Sequence, residues 1–145
     1  MNNKLADFQH CIWYQPNKEH IWNTYCDHFE PHMSIVTNNN KNDSIQLYNS
    51  IKSTKIYVKL IGNIIQSCKP DGFYALYYRI EPISNDIPSW WPKNAHISFA
   101  YRYNIPFSDK EIAALEKKIA IRYGLLENIH VVNCSKHYLK WQKLN

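Results

Sequence analysis

Residues 95–103 read AHISFAYRY and residues 32–37 read HMSIVT. Both runs are rich in β-branched and aromatic residues, so each is expected to form a strand. Successive side chains on a strand point to opposite faces. His32 and Ser34 therefore share one face, as do His96 and Ser98, while Met33 and Ile97 point the other way, into a core. Each strand offers an imidazole beside a hydroxyl, backed by apolar packing. Brought together by the fold, the two strands would set two imidazoles and two hydroxyls around one small cleft.

Working outward, FQHCIWYQ at 8–15 reads as a strand ending at Pro16, and Ile21, Trp22, Tyr25 and Phe29 show helical spacing across 17–29. Asp43 or Ser44 can cap a helix carrying Ile45, Leu47, Tyr48 and Ile51. KIYVKLIGNIIQ (55–66) and GFYALYYRI (72–80) read as a two-strand hairpin, followed by the proline-rich loop EPISNDIPSWWPKN at 81–94. Ser108 and Glu111 form a capping box for a further helix that Gly124 is expected to stop. IHVVNC (129–134) and HYLKWQ (137–142) read as closing strands. The order predicts an α+β or α/β domain in two similar halves.

At 145 residues and 17.3 kDa the chain suits one domain, residues 1–145, with a single sizeable core. Hydrophobic residues make up 45% and charged residues 20%, which excludes wholesale disorder. No apolar run approaches the ~20 residues of a membrane span, and the start MNNKLADFQHCIWYQ lacks a signal-peptide core. A soluble, cytoplasmic protein is expected, with no membrane and no obligate protein partner. Only three glycines occur, in neither a G-x-G-x-x-G nor a G-x-x-x-x-G-K pattern, which sets aside dinucleotide-fold and P-loop chemistry. The net charge of +5 pulls weakly toward anionic ligands. The cysteines at 11, 26, 68 and 134 form no C-x-x-C pair, so free thiols are expected. Cys26, His28 and His32 lack the second half of a zinc site, and no metal or cofactor is expected. Abundant Asn, Ile and Lys suggest an AT-rich genome, viral or microbial.

The doubled His-x-Ser pattern suits cleavage of a phosphodiester. One imidazole takes a proton from the attacking oxygen and the other gives one to the leaving oxygen. The Ser34 and Ser98 hydroxyls can donate to the non-bridging oxygens. Aromatic residues at the cleft could stack a base; of Trp13, Tyr14, Trp90 and Trp91, the candidates chosen are Tyr14 and Trp91. Strict alternation puts Arg102 on the face of His96 and Ser98, within reach of phosphate, and Tyr101 on the opposite face.

Two H-x-[ST]-hydrophobic motifs, here HMSI and HISF, are the hallmark of the 2H phosphoesterases, and the chain resembles that superfamily from about Phe8 onward. The resemblance implies a two-lobed, pseudo-symmetric α+β fold with antiparallel-rich sheets flanked by helices and the active-site cleft between the lobes. It implies catalytic roles for His32 and His96 and phosphate-binding roles for Ser34 and Ser98. One departure is Tyr101, where the RNA ligase-like branch often has Arg. The expected activity is metal-independent cleavage of a small nucleotide or short oligonucleotide with a 2′-linkage, such as 2′,3′-cGAMP or a 2′-5′ oligoadenylate, by a viral antagonist of host nucleotide signalling. The alternatives are a 2′,3′-cyclic phosphodiesterase of RNA-end processing and, from another class, a non-catalytic RNA-binding module.

Overall fold

A computed structural model describes residues 8–25, 30–69, 71–84, 87–135 and 138–144. Cys26, His28, Phe29 and His137 lie outside the described residues. Seven strands and two helices follow in the order β1 (His10–Pro16), β2 (His32–Asn39), α1 (Lys41–Ile51), β3 (Ile56–Cys68), β4 (Phe73–Pro82), β5 (His96–Tyr103), α2 (Asp109–Lys118), β6 (Tyr123–Asn133) and β7 (Gln142–Lys143). The strands form one α+β sheet in the order β1-β2-β5-β4-β3-β6-β7, every strand pair antiparallel. β1 also pairs with β6, so six of the strands close into a ring. No described helix is long and apolar enough to cross a membrane.

The hydrophobic alternation read from sequence decides what each face does. Ile12 and Tyr14 of β1, Met33 and Ile35 of β2, and Ile97 and Phe99 of β5 enter the main core, against which Leu47 and Tyr48 of α1 and Leu115 of α2 pack. Cys11 and Trp13 point the opposite way, into a second apolar cluster with Val132, Cys134 and Trp141. Both faces of β1 are thus covered, which is why its central residues are all buried.

Several local expectations shift. The helix expected across 17–29 is, in its described part, one 3₁₀ turn at Ile21–Thr24. That turn plants Trp22 in the core, where its indole N–H donates to the Ile121 carbonyl at 2.7 Å. α1 starts earlier than expected because Asn40 caps it, its side chain accepting from the Asp43 amide at 2.8 Å. The Ser108–Glu111 capping box forms as expected, but α2 ends at Lys118, and its C-cap Ile119 leaves the helical region with ψ at 77°. Gly124 is instead a strand residue in β6, where an added Cβ would stand 2.5 Å from the Trp22 ring. The expected strand at 137–142 is a 3₁₀ turn, Tyr138–Lys140, before the two-residue β7.

Candidate active site

β2 and β5 are direct neighbours, with His32 opposite Ser98 and Met33 opposite Ile97. Extending that antiparallel register by one residue sets Ser34 opposite His96. The pleat turns all four polar side chains to one face, where they line a single cavity of about 280 Å³. Aromatic rings of Trp13, Phe73, Tyr77, Tyr101 and Trp141 form much of its wall, and Lys69 enters from the turn after β3. Among the described residues lining it there is no carboxylate. The field inside suits an anion.

Both imidazoles are held in the same way. His32 Nδ1 lies 2.7 Å from the Glu30 carbonyl, and His96 Nδ1 lies 2.8 Å from the Asn94 carbonyl. A carbonyl only accepts, so each Nδ1 carries the proton and donates it, and Nε2 is the acceptor nitrogen of the neutral ring. His32 is only 3% exposed and stacks on Trp13, with ring centroids 3.7 Å apart and planes 11° apart. Burial is the main cause that pushes its pKa down to about 4; the Glu30 carbonyl opposes the shift and the neighbouring His96 adds to it. His32 is therefore neutral at pH 7, with a lone pair on Nε2. The ring of His96 is half-buried and tilts against Tyr77 at 4.6 Å.

Glu30 is itself anchored. Its carboxylate accepts from Gln15 Nε2 at 2.8 Å and pairs with Lys143 of β7. Burial disfavours the charged carboxylate, yet the bonds from Lys143 and Gln15 hold its pKa below the ordinary value. Through this clamp the chain's last strand fixes the carbonyl that orients His32.

A bulge follows each motif. Ile12 pairs with Val36 but Trp13 with Ser34, and Leu76 pairs with Ala100 but Tyr77 with Ser98. In each case the motif strand advances two residues while its neighbour advances one. The extra residue resets the alternation, so Thr37 and Tyr101, each three residues beyond a motif serine, line the cavity. This corrects the expectation for Arg102. Its guanidinium faces away and donates two hydrogen bonds to Glu111, at 3.0 and 2.5 Å, while lying 4.2 Å over the Phe107 ring.

The two stacking candidates also fall elsewhere. Tyr14 is fully buried in the main core against Trp90, so its ring has no face to offer a ligand. Trp91 is half-buried against the same core and is absent from the cavity wall. Trp13, one residue before Tyr14, has the correct parity, and its pairing with Ser34 puts it on the motif face. Tyr101 was hidden by the bulge. Lys69 and Trp141 gave no signal, because a turn residue and a residue after a 3₁₀ turn have no periodicity to read.

Free thiols at Cys11 and Cys134 also line the cavity. Among the described residues no three His, Cys, Asp or Glu side chains converge closely enough to hold a metal ion. Comparison of the chain with known protein families, with curated proteins and with solved structures finds no match.

Proposed function

We propose that the protein is a phosphodiesterase that cleaves a 2′-linked nucleotide or short oligonucleotide with two histidines and without metal, in the manner of the 2H phosphoesterases it resembles. The observation carrying this reading is the antiparallel register that faces His32 with Ser98 in a cavity lined also by Ser34 and His96. His32, neutral and with Nε2 unprotonated, acts as the base on the attacking hydroxyl. His96 protonates the leaving oxygen. Ser34 and Ser98 donate to the non-bridging oxygens, and Lys69 adds attraction for the phosphate.

The strand pairing supports the two-lobed, pseudo-symmetric part of the reading. Exchanging β1, β2 and β3 with β4, β5 and β6 returns the same six neighbour pairs. Each motif strand is the second of its half, is followed by a bulge, and leads into a helix. The cavity's modest volume favours a second reading, a 2′,3′-cyclic mononucleotide phosphodiesterase.

One assay separates these. With EDTA present, the protein is offered 2′-5′ and 3′-5′ diadenylate, 2′,3′-cGAMP and 2′,3′-cyclic AMP. Faster cleavage of the 2′-5′ isomer than of the 3′-5′ isomer is expected. Turnover of cyclic AMP alone would select the second reading. An absolute need for a divalent ion, or binding of every substrate without cleavage, overturns both.

A further inference from the structure

Tyr101 stands with its hydroxyl 3.4 Å from His32 Nε2. Because His32 Nδ1 already donates to the Glu30 carbonyl, Nε2 of the neutral ring can only accept, and the tyrosine is the donor. The tyrosine hydroxyl therefore occupies the lone pair that a base must use. Its ring is held in place by Phe73, Trp141 and Tyr138, at centroid distances of 5.0, 5.4 and 5.5 Å. Resting on the phosphodiesterase reading above, we propose that Tyr101 is a substrate-contacting hydroxyl that covers the His32 lone pair in the empty site and passes to a non-bridging phosphoryl oxygen when the attacking hydroxyl takes its place.

The exchange leaves every proton accounted for. The attacking O–H replaces Tyr101 as donor to His32 Nε2 and gives up its proton there as the new O–P bond forms. The P–O bond to the leaving group breaks, and that oxygen takes the Nε2 proton of His96, which must enter the step as the imidazolium with Nδ1–H still on the Asn94 carbonyl. Afterwards the proton gained by His32 leaves to solvent and His96 regains one. Tyr101 keeps its own proton throughout and changes only its acceptor. The charge accumulating on the phosphoryl oxygens then meets the Tyr101 hydroxyl in addition to those of Ser34 and Ser98, in a cavity with no described carboxylate to oppose it. The bulge after Ser98 makes this contact possible, since strict alternation would turn Tyr101 away.

Tyr101→Phe keeps the ring and removes only the hydroxyl. The first measurement needs no substrate: the ¹⁵N NMR titration of His32 in wild type and variant. Among the described residues, the titratable or charged groups acting on His32 include His96 and Tyr101 from β5, Glu30 from the segment before β2, and Lys143 from β7; the variant changes Tyr101 alone. A donor to the neutral imidazole disfavours its protonation, so removing that donor should raise the His32 midpoint. An unchanged midpoint overturns the proposal.

The second measurement is turnover of adenylyl-(2′→5′)-adenosine with EDTA present. The variant should lose about 10- to 10²-fold in kcat with little change in KM, as expected for a donor engaged chiefly in the transition state. The acid limb of its pH–rate profile should move upward with the His32 midpoint. Equal kcat in wild type and variant overturns the handover while leaving the phosphodiesterase reading intact. Failure of the wild type to cleave any substrate in the panel removes both.

Discussion

His32 and His96 carry the same tripeptide logic in different surroundings. One is buried, stacked on Trp13 and neutral, and the other is half-open to solvent. Replacing either by Ala should lower kcat on the 2′-5′ substrate by ~10²–10⁴-fold, the usual contribution of a positioned acid or base. Ser34→Ala and Ser98→Ala should cost less, because in the proposed mechanism each hydroxyl has a neighbour able to donate to the same phosphate. Steady-state kinetics on variants with unchanged circular dichroism checks this, and a His variant at near wild-type rate would rule out the two-histidine mechanism. The shared face of His32, Ser34, His96 and Ser98 was legible because alternation within three residues is reliable. Tyr14 and Arg102 were misread at the same scale, the first by one step of parity. For Arg102 the cause is the bulge, which depends on the pairing with β4 and leaves no mark in the HISFAYR stretch itself.

The elements were legible where local chemistry fixes them and less so where a distant partner does. Ser108 and Glu111 announce α2 because the capping box is complete within four residues. The strands of the β3–β4 hairpin announce themselves through long β-branched and aromatic runs. Gly124 was misread as a helix stop. Its actual role is set by Trp22, about a hundred residues away in sequence, whose ring lies where a side chain at 124 would go. Gly124→Ala should therefore destabilise the fold by about 1–3 kcal/mol, the range for overpacking a tight site. Urea denaturation would measure it. A loss below about 0.5 kcal/mol would mean that Trp22 swings aside without cost, and its anchoring bond to Ile121 would not be the constraint it is taken for.

For the whole molecule, the two groups of strands β6-β1-β2 and β5-β4-β3 meet at β2–β5 and β3–β6. The β2–β5 junction is short, pairing His32 with Ser98 and Met33 with Ile97. A buried imidazole at that junction links the fold's stability to pH. The folded-state pKa of His32 is about 4, against 6.5 for the free side chain. Between those values the unfolded chain binds a proton that the folded chain refuses, so stability rises with pH through the window. It is fully present above about pH 6.5 and is lost as pH falls toward 4. The pKa of Glu111, lowered to about 2 by its bonds from Arg102, gives stability that is lost only below its ordinary 4.5. The lowered pKa of Glu30 acts in the same acid range. The interval from pH 6.5 to 4.5 therefore isolates His32 from these two carboxylates. His32→Phe keeps an aromatic ring against Trp13 and cannot titrate. Between pH 7.5 and 5 the wild type should lose about 2 kcal/mol of unfolding free energy more than this variant, since each pKa unit corresponds to about 1.4 kcal/mol. Chemical denaturation at both pH values measures the difference. Parallel pH profiles would show that His32 is protonated as readily inside the fold as outside it, and its assignment as the resting base would fall with that result.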